Sequence, residues 1–270
     1  MKQRLLLSGL ASVLWLSGTM VSADFRSELL LAADPDFSNN YVRSRFLGLA
    51  RQPFNTRDKR SKALIIGDGH AQDFLNGVLE NGLLSRYQIR TRYIPTRCQP
   101  YLGPENLRNF IQPRDTAFCA GSDNLEQARQ QISQANLIVL AANWKFWSAQ
   151  RLGDTIHNLK LQPDQKLVVL GRKSFGRINI HAYLRLPESR LRKLRNPTSQ
   201  ESLAVNRILR NQVRPRSFVD QQQLICGRGP DCPVFTDKLQ LISFDGTHLT
   251  PAGARHAGHL LFRSPVLGSL

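Results

Sequence analysis

Five short apolar runs alternate with longer stretches of helical spacing along this chain. The runs at 63–66, 87–94, 137–142, 167–170 and 240–243 predict strands, since short apolar runs bounded by polar or turn-forming residues suit buried strands. The segments 70–83, 124–134, 148–159 and 200–212 predict helices between them, and 252–261 predicts one more after the last run. Leu137-Ile138-Val139-Leu140 is apolar at every position, as expected of a parallel strand covered on both faces. The alternation predicts an α/β fold: a three-layer α/β/α sandwich on a mainly parallel central sheet. Residues 24–61 show little periodicity and read as an N-terminal extension, with the domain occupying 62–270.

Charge adds a constraint on partners. The 270 residues carry 37 Lys+Arg against 20 Asp+Glu, a net charge of +17. Such a field favours anionic partners, whether nucleic acid, acidic glycan or lipid headgroups. The first residues narrow that choice. Lys2 and Arg4 precede an apolar run from Leu5 to Leu16, and small residues follow at Val21 and Ala23. This reads as a signal peptide over 1–23, cleaved before Asp24, with an uncleaved inner-membrane anchor as the alternative. Either way the body is exported, periplasmic or extracellular, and nucleic acid falls away as a partner.

Four cysteines suit an oxidising compartment. Of their three pairings, the local ones, Cys98–Cys119 and Cys226–Cys232, close short loops and are expected. A zinc site would call for tighter C-x-x-C spacing, and no metal or cofactor is implied. The densest basic stretch, Arg185 to Arg195, is either a solvated helix face or an anion-facing patch near a substrate entrance.

Candidate chemistry lies in three motifs, each following an apolar run. They are Gly67-Asp68-Gly69-His70-Ala71, Ala141-Ala142-Asn143-Trp144, and Asp245-Gly246-Thr247-His248-Leu249-Thr250 with Gly253-Ala254. In an open α/β sheet the carboxyl ends of the strands form the ligand crevice, so motifs far apart in sequence converge there. Taken singly, each has a plainer reading. Gly-Asp-Gly at a strand end is a common turn, Asp245 and Asn143 are capping types, and Trp144 suits a core as well as a sugar platform.

The ordered set resembles the SGNH hydrolase superfamily, most closely the SGNH domains associated with acyltransferase-3 membrane proteins, which O-acetylate bacterial cell-surface polysaccharides. Their first block typically reads G-D-S-H-A and their last D-x-x-H-L-[ST]-x-x-G-A. This chain has G-D-G-H-A and D-G-T-H-L-T-P-A-G-A, and the resemblance covers about residues 62–263. It implies an SGNH (flavodoxin-like) fold. It also implies His248 as general base, Asp245 as the carboxylate that orients it, and Asn143 as an oxyanion donor. Gly69 and Trp144 would then complete an oxyanion or substrate-binding group. The middle block departs from the family's G-x-N-D, with Ala141 for Gly and Trp144 for Asp. For the family's separate block glycine, Gly103 is the candidate.

The main departure is Gly69, which stands where the resemblance calls for the nucleophilic serine. Without that Oγ, the only substrate left for His248 to deprotonate is water, lodged where the side chain is missing. Ser61 precedes the strand, at the wrong end of the sheet, and His70 reads as structural. Two functions follow from the resemblance. One is an O-acyl (acetyl) esterase or acetyltransferase of polysaccharides, slowed by the missing serine. The other is a non-catalytic domain that binds an acidic or acetylated polysaccharide, or docks on an acyltransferase-3 partner.

Overall fold

Among the described residues, seven strands form two sheets of very different size. They are β1 (Ser61–Gly67), β2 (Tyr87–Tyr93), β3 (Leu137–Ala141), β4 (Lys166–Leu170), β5 (Arg195–Pro197), β6 (Phe218–Val219) and β7 (Asp231–Pro233). The main sheet is entirely parallel, in the order β2-β1-β3-β4-β6, and β5 pairs antiparallel with β7. The computed structural model describes residues 23–270, so the signal segment lies outside the described residues apart from Ala23.

Alternation within the apolar strands builds two cores. Leu64, Ile66, Ile138 and Leu140 face one layer with Ile132, Leu152, Val205 and Leu209. Ala63, Ile65, Leu137 and Val139 face the other with Phe74, Leu75, Val78 and Leu261. The first layer carries the helices Arg129–Gln134, Phe146–Gln150, Leu152–Leu159 and Gln200–Gln212. The second carries Gly69–Glu80 and Pro251–Leu261. This is the expected three-layer sandwich.

The edge of the sheet corrects one expectation. Residues 240–243 do not join it; they contribute only isolated bridges, Phe235 with Leu241 and Ser243 with Leu249. The fifth parallel strand is instead the two-residue β6, whose Val219 pairs with Leu170. Leu241 and Ile242 are apolar because they fill two smaller clusters outside the sheet, and a four-residue run looks the same in either place. Two helices also differ in extent. The 124–134 segment is helical only from Arg129, and 148–159 is broken at Arg151.

The aperiodic N-terminal stretch is helical, over Ala23–Ala33 and Pro35–Gly48. The buried residues of the second helix are Ser38, Val42 and Phe46, a stripe one residue wide with a serine in it. That is too narrow for a periodicity signal. Phe46 is nonetheless fully buried in the core beside Ala63 and Ile65, and its carbonyl accepts from Thr91 Oγ1 at 2.6 Å.

Both local disulfides are present, Cys98–Cys119 and Cys226–Cys232. Among the described residues no helix is long and apolar enough to cross a membrane.

Candidate functional site

The three motifs meet at the carboxyl end of the sheet. Gly67 ends β1 with φ +145°, and a Cβ there would collide with the Ala141 carbonyl at the end of β3. Only glycine allows that approach. Asp68 then caps the Gly69–Glu80 helix and is almost wholly buried. One of its oxygens, Oδ1, accepts from His70 N (3.0 Å) and Asn143 N (3.1 Å). The other, Oδ2, accepts from Asn143 N (2.9 Å) and Thr96 Oγ1 (2.6 Å). One carboxylate thus fastens the ends of three strands. Burial raises its pKa, with the hydrogen bonds from Thr96, His70 and Asn143 pulling the other way.

Opposite this turn lies the 245–250 loop. Asp245 Oδ2 is 2.7 Å from His248 Nδ1, and Asp245 Oδ1 accepts from the backbone N–H groups of Thr247 (2.8 Å) and His248 (2.7 Å). The carboxylate holds the proton on Nδ1 and leaves the Nε2 lone pair facing the turn. Burial of the ring works against its charge, but the Asp245 bond and the Asp73 and Asp245 charges outweigh it. The His248 pKa ends above its ordinary 6.5. Burial likewise tends to raise the Asp245 pKa, but the bond to His248 prevails and lowers it.

His248 reaches the space into which a side chain at residue 69 would project. A Cβ on Gly69 would stand 2.7 Å from His248 Cδ2 and closer still to Nε2, where non-bonded carbons need about 3.5 Å. This corrects the expectation of a water lodged at residue 69, because the imidazole itself occupies that space. Neither Ser61 nor Ser243 meets the imidazole. Ser61 opens β1 at the other end of the sheet, and Ser243 Oγ donates to the His248 carbonyl rather than meeting the ring.

Beneath the loop is a buried ion pair that the sequence did not bring to notice. Lys173 Nζ lies 2.6 Å from Asp73 Oδ2, with side-chain exposures of 0% and 1%. The ammonium also donates to Thr247 O at 2.8 Å, and Asp73 Oδ1 accepts from Leu249 N at 3.1 Å. Asp73 sits one turn into the Gly69–Glu80 helix, and Lys173 follows the end of β4. The pair therefore ties the histidine loop to the helix that starts at Gly69. A cation directly after an apolar strand's carboxyl end, Gly171-Arg172-Lys173, was the available signal.

The remaining candidates divide. Asn143 is half-buried next to Asp68, and neither its carboxamide nor the Gly69 N–H takes part in the bonds that organise the turn. Trp144 is removed from the substrate-facing set: it is fully buried and its Nε1–H donates to Leu170 O at 2.9 Å. Gly103 lies in a loop held to the Leu152–Leu159 helix, where Leu102 N donates to Thr155 Oγ1 at 3.2 Å, and no bond brings it to the site. His70 is buried under the turn. Burial first, then the Lys173, His248 and Arg172 charges, lowers its pKa well below 6.5, and its Nε2 has no hydrogen-bond partner among the described residues. No group of three or more His, Cys, Asp or Glu among the described residues is placed to hold a metal ion.

A parallel α/β/α sheet with a histidine–carboxylate pair facing a strand-to-helix turn defines an SGNH-type architecture. The chain belongs to the family described as "SGNH domain (fused to AT3 domains)", AT3 being acyltransferase-3, whose model matches residues 38–263. The match begins inside the Pro35–Gly48 helix, ahead of the first motif. Among solved structures, the chain shares its fold with the periplasmic domain of a Salmonella ser. Paratyphi A lipopolysaccharide acetyltransferase. That likeness has a TM-score of 0.56 at 14% identity and covers 86% of this chain and 98% of that one. No curated protein matches the chain.

Proposed function

We propose that this chain is an exported domain serving O-acetylation of a cell-surface polysaccharide beside an acyltransferase-3 membrane protein, and that it works without a serine acyl-enzyme. The association with acetylation is supported by the family and by the structural neighbour, a lipopolysaccharide acetyltransferase domain. The two disulfides and the leader-like N-terminus support export. The single observation that carries the chemistry is the Asp245–His248 bond of 2.7 Å, which leaves Nε2 as a free base at the Gly69 turn.

In this reading His248 acts directly on the attacking oxygen, that of a water or a sugar hydroxyl. Nε2 takes its proton as the new C–O bond forms, then returns it to the departing oxygen. The Gly69 N–H and the Asn143 carboxamide are the donors for the developing oxyanion. A specific observation favours a second reading, a domain that binds polysaccharide or partner without turnover: the imidazole already fills the space of a side chain at residue 69.

Hydrolysis of a small acetyl ester separates the two. Loss of a nucleophile leaves roughly 10³–10⁴-fold acceleration over water in such sites. The chain is expected to show activity of that order, abolished by His248→Ala and raised by Gly69→Ser. A rate indifferent to His248→Ala would overturn the catalytic reading. Activity in Gly69→Ser alone would establish the second.

A further inference from the structure

We propose that the cleft between the ends of β2 and β3 binds an anionic oligosaccharide and leads it to the Gly69 turn. The inference rests on the polysaccharide reading above and names where and by what chemistry the chain would be held. The cleft measures about 590 Å³ and is lined by Tyr93, Thr96, Arg97, Arg114, Lys145 and Trp147, among others. It starts at the site itself. Thr96 donates to Asp68, and Lys145 lies two residues beyond Asn143.

Charge along the cleft is one-sided. Three cations, Arg97, Arg114 and Lys145, face a single carboxylate, Asp115, which Arg97 engages at 3.2 Å. Arg114 and Lys145 are exposed and their side-chain cations have no ion-pair partner among the described residues. Beside them lie aromatic rings. Phe110 is covered by Trp147, with centroids 4.9 Å apart, and by the Arg151 guanidinium at 4.1 Å, while Phe118, 46% exposed, carries the Arg97 guanidinium 4.3 Å above its ring. Aromatic faces suit the C–H faces of pyranose rings, while unpaired cations suit the carboxylates or phosphates those rings carry.

The walls are also fixed in place. Cys98 follows Arg97 and Cys119 follows Phe118, so the Cys98–Cys119 bond staples the two sides of the cleft. A pre-set groove loses less entropy on binding. The sequence-level candidate for anion binding, Arg185–Arg195, is built differently. Arg192 bonds Glu188 and the Asp237 carbonyl, and Arg195 bonds Asp231 and the Cys226 carbonyl. Two of its five cations are thus tied to the fold, and none of the five lines the cleft.

The test is titration calorimetry of the chain with hexagalacturonate, a phosphorylated maltohexaose, neutral maltohexaose and a single-stranded oligodeoxynucleotide. One or both charged glycans are expected to bind, about tenfold more weakly to the Arg114→Gln/Lys145→Gln double variant. The Arg190→Gln/Lys193→Gln variant, with the same loss of charge, should bind as the parent does. The stronger of the two charged glycans tells whether carboxylate or phosphate is the recognised group. Equal affinity for neutral maltohexaose, tighter binding of the oligonucleotide, an unaffected double variant, or no binding of either charged glycan would each overturn the proposal. The small-ester assay does not need the cleft, so it can succeed or fail independently.

Discussion

The turn at 67–70 and the loop at 245–250 face each other across the site and are both braced by buried carboxylates, yet only the loop extends a side chain toward the other. The turn is pinned by Asp68, whose buried carboxylate joins three strand ends. The loop is pinned by the buried Lys173–Asp73 pair and completed by Asp245 and His248. Each region carries a histidine, and the two environments drive them apart. His70 is held neutral by burial, whereas His248 is pulled toward its charged form by carboxylates. A turn with no role beyond chain reversal has no need of a buried ion pair opposite it, because burying two charges costs several kcal/mol per ion before their attraction offsets it. The comparison therefore separates bracing from presentation: both regions are held by buried carboxylates, and they differ in the side chain each offers the other.

The largest expected effect comes from cutting the loop's brace. Lys173→Met leaves the Asp73 carboxylate buried without its partner and should lower stability by about 3–5 kcal/mol. It also frees the loop at Thr247, so His248-dependent activity should fall with it. Replacing both members, Lys173→Met with Asp73→Leu, removes the stranded charge and should recover much of the stability. Denaturant unfolding of the three proteins checks this, and a loss below about 1 kcal/mol for the single variant would mean the pair is not the brace. On the turn side, Asp68→Ala leaves the Thr96 hydroxyl and the Asn143 N–H without their acceptor. It should cost about 2–3 kcal/mol, less than the ion pair because no stranded charge remains.

Next in size is the substitution that would make the two regions alike. Gly69→Ser puts a Cβ into the volume held by the His248 ring, so the imidazole must withdraw. Crowding of this kind costs about 1–3 kcal/mol. The ring is the far end of a side chain whose loop is exposed on one side, which places the expected loss near about 1 kcal/mol. Gly69→Ala should cost the same in unfolding experiments while adding no ester hydrolysis. A larger loss in both would show that the Asp245–His248 pair cannot retreat, and that the site is shaped around glycine.

Legibility in the sequence follows the same division. The central strands could be read because both their faces are apolar, and the Asp245–His248 pair because its D-x-x-H block resembles that of the SGNH family. The β6 strand could not be read, being two residues long, nor could residues 240–243 be told from a strand. The Lys173–Asp73 pair spans 100 positions and joins an inter-element cation to a carboxylate inside a helix. Only the folded chain brings them together. Positive charge is legible in amount but not in arrangement. In the densest basic segment, 185–195, Glu188 and Asp231 engage Arg192 and Arg195, while the dispersed Arg114 and Lys145 line a cleft and make no ion pair among the described residues.

The smallest effect is also the one that tests the two histidines against each other. His248 has a raised folded-state pKa, so its contribution to stability is complete below 6.5 and is lost as pH rises through the folded value. His70 has a depressed one, so its contribution is present above 6.5 and is lost as pH falls toward its folded value. The two slopes oppose each other on either side of 6.5. As a base, His248 works only when neutral, so ester hydrolysis should rise with pH through a midpoint above 6.5. Asp245→Asn removes the first of the carboxylate contributions that raise the pKa and should move that midpoint down, with the ring's NMR titration moving in parallel. His70→Asn should leave the midpoint almost in place while flattening the acid limb of the stability profile. A midpoint that follows His70 instead would assign the titration to the turn and deprive the loop of its role as the reactive half.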